Sequence, residues 1–442
     1  MWSLVQYAPV LVILVAVATL LWKFPVQTAT SSAGLAIALD CFDVGRQGFD
    51  LGVSIYSDDI ACVILLCAGC ISIMRWQKRP SRDWWFALGL FSLTIFNLVR
   101  GASEFGLKPA GNGIRGLVYL IIPPIALMLL RPAIRLDPIR LAKWLTLAGV
   151  AFAAIGLCRW AGILPSPEWT SQENLREIPR VLNAEYAMVL GQALLAVLGL
   201  QIARGFKWWG LVLAGSFGTE LLFLQHRSVW VATTVGLIWL IIRTVTLSKR
   251  LWVGAAAGAF LAVGIWSALT PGALSSVRGL IEANVEETQR SDSSWAWRTS
   301  GYEEAVNRTL SGTTEEVLLG PPAGRNLGAS ANLASVSIHD RYVDTLAYYG
   351  IFGEVLLVAW LLLVAKSAGG WLARQRHQSR DRQLGIVFLQ ALLLSELTFF
   401  IPYTGGLPVG ISIGLIWVLS TKRPPNEKAA RFVFPLQSVE SS

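Results

Sequence analysis

Charge is scarce in this sequence. Asp, Glu, Lys and Arg make up 15% of the 442 residues, against about 25% in a soluble domain. Histidine is scarcer, with three in the chain. No two of them are near each other, and no His/Cys spacing suits a metal. The acidic pairs Glu286–Glu287, Glu303–Glu304 and Glu315–Glu316 are adjacent, so on a helix their carboxylates diverge. There is no phosphate-binding G-x-x-x-x-G-K-[ST] loop and no G-x-G-x-x-G turn, which argues against ATP-driven transport. A G-x-S-x-G nucleophile elbow is missing too. The five cysteines, Cys41, Cys62, Cys67, Cys70 and Cys158, are odd in number, which rules out a closed disulfide framework. The C-x-x-C of "CAGC" lies inside an apolar block, where two small buried residues are the plain reading.

What the chain has instead is hydrocarbon, 54% of its residues. It falls into blocks whose length suits a bilayer core ~30 Å thick. The blocks predict an all-α polytopic membrane protein of about twelve spans, near 4–22, 59–74, 84–99, 114–130, 141–158, 184–203, 208–224, 228–242, 251–270, 342–365, 384–401 and 405–421. The first lacks a basic leader and a small-residue cleavage site, so it reads as a retained helix. Residues 30–57 fit poorly: "AGLAIAL" is too short to span and suggests a re-entrant piece.

Every second connection is basic. "RWQKRPSR", "RPAIRLDPIRLAK", "RGFK", "RTVTLSKR", residues 366–382 and the tail hold 22 of the 37 Lys and Arg. The intervening connections are more acidic, as in "DCFDVGRQGFDLGVSIYSDD", with one Arg against five Asp. Positive-inside logic places the basic set and both termini in the cytoplasm. The net charge of +9 therefore marks topology. It forms no separate stripe for nucleic acid. Trp pairs at 84–85 and 208–209 fit interfacial belts against membrane lipids.

The organisation predicted is spans one to nine over 1–270, a loop on the outer side (periplasmic, if the membrane is a bacterial inner one) over 271–341, spans ten to twelve over 342–421, and a cytoplasmic tail over 422–442. The loop reads as partly helical, with "SSWAWRTSGYEEAVNRTL" followed by the Gly/Pro stretch "GPPAGRNLGASAN".

Three places carry candidate chemistry. In "LLFLQHRSVWVATT", His226 and Arg227 sit at a tight outer hairpin between two apolar blocks. Charge there is expensive, which marks a site, and Glu220 on the same face is the expected partner of Arg227. In "SVSIHDRYVDTLAYYGIFGE", Ser337 and Asp340 fit a helix cap, so a span should start near Ile338 with His339 in its first turn. The helix dipole disfavours imidazolium there, leaving a neutral ring suited to a general base. Asp340 and Asp344 share a face and could orient that base or bind sugar hydroxyls. In "WAWRTSGYEEA", Arg298 could join Arg227 in gripping a diphosphate, because guanidinium forks match phosphate oxygens. Arg325 in the Gly-rich stretch and Tyr342 beside Asp340 complete the candidate substrate-binding set.

The order of these elements resembles the bacterial O-antigen ligase and polysaccharide polymerase family. A hairpin arginine ("HRSVW") comes first, then an Arg-bearing loop helix ("WRTSGYEEA"), then a Gly-rich stretch ("GPPAGRNLG"). A His heading a helix that runs into Gly-x-x-Gly ("HDRYVDTLAYYGIFG") closes the pattern, and "RVLNAEYAMVLGQALL" is similar to the family's N-x-x-A span start. These motifs cover about 183–354. The resemblance implies a GT-C-like fold and an inverting, metal-independent glycosyltransferase without a cofactor. Its donor is a glycan on polyprenyl (undecaprenyl) diphosphate. Its acceptor is a sugar hydroxyl, on lipid A-core for a ligase or on another lipid-linked glycan for a polymerase. Carried over, Arg227 and Arg298 would bind the diphosphate and His339 would deprotonate the acceptor. The chain departs from the family pattern at His226 and Asp340, where Ser and Asn are usual, and at Pro321–Pro322, which split the Gly-rich stretch. Two other classes remain open. A flippase or transporter of lipid-linked glycans would use charges near the bilayer midplane, for which Glu354 and Glu396 are the candidates. A non-catalytic envelope scaffold would not require His339.

Overall fold

A computed structural model describes residues 15–42, 49–50, 54–76, 84–134, 136–165, 180–205, 207–244, 294–325, 340–373 and 380–421. Fourteen helices are found among them. They are α1 (15–23), α2 (Pro25–Cys41), α3 (Ser57–Trp76), α4 (Trp84–Phe105), α5 (Leu107–Leu130), α6 (Pro138–Trp160), α7 (Ala184–Arg204) and α8 (Trp208–Leu224). They continue as α9 (Arg227–Thr244), α10 (Ser294–Leu310), α11 (Thr314–Leu319), α12 (Arg341–Ala373), α13 (Arg380–Phe399) and α14 (Leu407–Thr421). One small antiparallel ladder pairs β1 (Phe49–Asp50) with β2 (Ser54–Ile55). Six helices, α3 to α7 and α12, are long and apolar enough to cross a membrane by length and composition, and α8, α14 and Leu384–Phe399 of α13 are shorter apolar helices. This is an all-α membrane-protein architecture. The expected span 251–270, the loop to 293 and the tail lie outside the described residues.

The stretch 30–57, expected to hold a re-entrant piece, begins inside a helix. Residues 25–41 form a 17-residue helix, about 25 Å long at 1.5 Å per residue. Phe24 N–H donates to the Leu20 carbonyl and Thr28 N–H to Phe24, so α1 runs almost without a break into α2. The polar residues of this helix are satisfied locally. The hydroxyls of Thr28, Thr30 and Ser32 return to carbonyls three or four residues back. The buried face is then made of small residues, Ala29, Ala33 and Ala36, against Ala61, Cys62, Leu65 and Ala68. Small side chains let two helices approach closely where lipid gives no hydrophobic drive.

The same device joins α5 to α14. Pro123 and Pro124 interrupt α5 and remove the donors that would reach the carbonyls four residues back. Gly410 and Gly414 lie against that stretch. A Cβ on Gly410 would come within 2.3 Å of the Tyr119 carbonyl oxygen, and one on Gly414 within 2.8 Å of Pro124. At the centre is α7, whose Leu190, Ala193, Leu195, Ala196 and Val197 are fully buried. It packs on α6, α8, α9 and α13.

The helix ends sort onto two faces. Arg131, at the end of α5, donates to the Thr421 carbonyl at the end of α14, and Gly385 in α13 abuts Pro138 at the start of α6. These ends border basic connections. The other ends of the same helices meet through a separate set of contacts, described below as the site face. Asn307 is exposed on α10. With the native cysteines replaced, Asn307→Cys should react with an impermeant maleimide in intact cells. Reaction only after lysis would invert the predicted orientation.

Candidate functional site

Gln225 ends α8 in the left-handed conformation, at φ 54°, the one positive-φ non-glycine among the described residues. This single residue turns the chain from α8 into α9, and Trp230 Nε1–H closes the hairpin onto the Leu221 carbonyl at 2.6 Å. His226 is buried, with Nε2 2.8 Å from the Leu182 carbonyl. A carbonyl only accepts, so Nε2 carries the proton in this contact. Arg180 Nη2 donates to the Gln225 carbonyl at 3.2 Å. The hairpin is thus tied to the start of α7. Arg227, half-buried, opens α9. Its expected partner is elsewhere. Glu220 is buried against Gly156, whose Cβ would lie 2.1 Å from Glu220 Oε1, and that oxygen has no partner among the described residues. The seven-residue separation put the two side chains on one helix face, but Arg227 belongs to the next helix and does not share it.

Helix α12 starts later than the Ser337 cap implied. Asp340 is the cap: its Oδ1 accepts from the N–H groups of Tyr342 (2.8 Å) and Val343 (2.9 Å). Burial pushes this carboxyl above its ordinary range, against the pull of those two donors and of Arg341. His339 therefore precedes the cap, not in the first turn, and lies outside the described residues. Asp344 does not face an empty site either. It pairs at 3.1 Å with Arg341, a residue that sequence reasoning passed over.

Arg341 is fully buried and joins three segments. Its guanidinium donates to the Thr404 and Gly405 carbonyls before α14, to the Gly116 carbonyl in α5, and to Asp344. The signal was present as the D-R-x-x-D spacing of 340–344, in which two carboxylates bracket one guanidinium. Tyr342 reaches the Leu397 carbonyl at 3.4 Å and sits edge-on to Phe400.

The Gly-rich stretch is a docked strap. Thr313 and Glu316 form a capping box at the start of α11. Residues 319–325 then run into a seam between α4, α5 and α12. Asn97, fully buried, donates to the Leu319 carbonyl at 2.8 Å and accepts from Ala323 N–H at 3.1 Å through its backbone. Arg100 donates to the Gly320 carbonyl at 3.0 Å and pairs with Glu315 at 2.8 Å. Two glycines make the contact possible. Gly320 has φ 79°, and Gly350, with φ 65°, breaks the helical geometry of α12. A Cβ on either would fall within 2.6 Å of backbone on the opposing segment. Arg325, at the strap's end, pairs with Glu316. Arg298 lies on α10, which packs on α12; its side chain is outside the described set.

These pieces share one face through a traceable series of contacts. The hairpin bonds to Leu182, Glu185 of the same helix start lies on Gly406, and Gly405 accepts from Arg341. Several arginines of this face carry their own counter-charge: Arg100 with Glu315, Arg115 with Asp59, Arg325 with Glu316, Arg341 with Asp344. Among the described residues no three His, Cys, Asp or Glu side chains are placed to hold a metal ion. No protein-family model matches the chain, and no curated protein matches it.

Proposed function

We propose that the protein is an inverting, metal-independent glycosyltransferase. It moves a glycan from polyprenyl diphosphate to an acceptor sugar hydroxyl on the periplasmic face, as polymerase or ligase. The observation that carries the reading is the shared face just traced. A half-buried arginine at a one-residue hairpin, a helix packed on α12 whose sequence holds Arg298, and a helix start capped by Asp340 occur in the order of the resembling family. The chemistry asks for such parts. A lipid diphosphate leaves readily once fixed cations hold its charge, and the incoming hydroxyl needs a base. In this reading Arg227 and Arg298 grip the diphosphate and His339 takes the proton. Arg341 with Asp344 is framework at the start of α12.

Mass spectrometry of lipid-linked glycans in a deletion strain tests this. Accumulated single repeats indicate polymerase, long unattached chains indicate ligase, and an unchanged profile removes both. Arg227→Lys should impair activity despite keeping the charge, because an ammonium cannot form a two-pronged fork. Full turnover by Arg227→Ala would end the diphosphate role. Turnover should also persist in excess chelator; loss restored by magnesium or manganese would reverse that part of the mechanism.

One observation favours a second reading, transport of a lipid-linked glycan. Glu396 is fully buried in α13, bonded by Gln192, with its Oε2 unpartnered among the described residues. Intramembrane carboxylates mark transport pathways as well as sites. Glu396→Gln separates the readings: it should abolish transport and leave transfer in detergent unchanged.

A further inference from the structure

Asn97 lies inside the apolar helix α4, where a buried amide costs energy unless its hydrogen bonds are made. It is fully buried, and its bonds are made. Nδ2 donates to the Leu319 carbonyl at 2.8 Å and, more loosely, to the Tyr348 carbonyl at 3.4 Å. Oδ1 accepts from Arg100 Nη1 at 3.1 Å, and the Asn97 main-chain carbonyl accepts from Ala323 N–H at 3.1 Å. Only one orientation of the amide fits. A carbonyl accepts and does not donate, so the nitrogen must face Leu319 and Tyr348 and the oxygen must face Arg100.

The two carbonyls belong to different parts of the site face. Leu319 ends α11, which joins α10 through a short turn closed by Ser311 N–H on the Asn307 carbonyl and Gly312 N–H on the Thr309 carbonyl. Tyr348 lies two residues before Gly350, where α12 loses its helical geometry. A break inside an apolar helix frees backbone groups that neighbouring side chains must satisfy, and Asn97 supplies one such donor. The seam around it is narrow. A Cβ on Gly101 of α4 would lie 1.9 Å from the Ala323 carbonyl oxygen, and one on Gly113 of α5 would lie 2.7 Å from Gly324 N. One side chain thus ties α11, and through it α10, to the part of α12 that Asp340 caps.

We propose that Asn97 is a positioning residue: by holding the Leu319 and Tyr348 carbonyls at once, it sets where α10 stands relative to the capped start of α12. The proposal rests on the glycosyl-transfer reading only in giving those two elements the diphosphate grip and the base. Their spacing matters to the rate, since a misplacement of about 1 Å between reacting groups can cost about 10²-fold. Asn97 acts through the segments it holds and through no contact of its own with the reacting atoms.

Asn97→Asp in the purified full-length protein tests it. The variant keeps the shape of the side chain and the acceptor for Arg100, and it turns the donor toward Leu319 and Tyr348 into an oxygen. With the native cysteines replaced, spin labels at Glu104 of α4 and Asn307 of α10, both exposed, report the placement of α10 by pulsed electron paramagnetic resonance, without turnover. Wild type should give one narrow distance distribution, and Asn97→Asp a shifted or broader one. In transfer assays kcat per folded molecule should fall about 10²-fold, more than donor KM rises; a purely structural role would lower the folded yield and leave kcat alone. If Asn97→Asp does not fold, Asn97→Ala, which removes the donor without adding charge, takes its place in both measurements. A distance distribution that coincides with wild type, or an unchanged kcat per folded molecule, overturns the proposal. Wild-type protein that transfers nothing sinks the enzymatic reading instead, and the distance measurement still decides whether Asn97 sets the placement.

Discussion

His339→Ala is expected to lower turnover by about 10²–10⁴-fold, the range that a general base contributes, while donor binding stays near wild type. The expectation follows from chemistry and placement together. The acceptor hydroxyl must lose its proton as the glycosidic bond forms. In the sequence His339 is the residue before the Asp340 cap, and Arg341 just beyond that cap is held by three carbonyls. The rival is His226, which is buried and whose Nε2 is already committed to the Leu182 carbonyl. His226→Ala should therefore act through stability. A buried acceptor left without its donor costs about 1–3 kcal/mol, so this variant should melt earlier and retain turnover per folded molecule. Measuring both variants at saturating donor separates an effect on kcat from one on binding. If His226→Ala is inactive while folded and His339→Ala is nearly wild type, the base belongs to the hairpin.

Arg341→Ala should be the most destabilising single change at the site face. It strips three carbonyls of a donor and leaves Asp344 with a charge and no counter-ion, 18% exposed. Removing one member of a buried ion pair costs about 3–5 kcal/mol. Arg341→Lys should recover part of this, since it restores the charge but cannot reach Gly116, Thr404, Gly405 and Asp344 with one ammonium. Asp344→Asn should be milder than either. Thermal unfolding in detergent reads all three, and an Arg341→Ala melting profile that overlays wild type would remove Arg341 from the framework.

The apolar helices α3 to α9 and α12 to α14 were legible because long apolar blocks separated by basic segments have few other solutions. The expected limits 208–224 coincide with α8, and 184–203 fall within a residue of α7. Where the reading failed, a polar side chain was satisfied in a way composition does not reveal. "AGLAIAL" looked too short on its own, but the helix extends through Thr28, Thr30 and Ser32, whose hydroxyls fold back on its carbonyls. Ser337 matched a capping pattern, but Asp340 accepts two backbone donors and starts the helix later.

The site was legible as an order of motifs and not as partners. Glu220 and Arg227 are seven apart, yet a turn at Gln225 lies between them, and a face shared along one helix is lost across a hairpin. Arg341 and Asn97 escaped notice because their acceptors are mostly main-chain carbonyls, from segments far along the chain, which no side-chain pattern encodes. The Gly-rich stretch read as loop, with Arg325 as its substrate-binding candidate. Gly320 is spent on contact with α12.

The most direct measurement of the central claim is transfer by the purified protein in vesicles. A glycan linked to polyprenyl diphosphate would be supplied alone, and then with lipid A-core, and the products read by mass spectrometry. The account predicts release of free polyprenyl diphosphate in step with one new glycosidic bond per transfer, under at least one of the two conditions, and none with His339→Ala. A folded protein that releases no polyprenyl diphosphate under either condition, and only carries the intact donor across the bilayer, would contradict it.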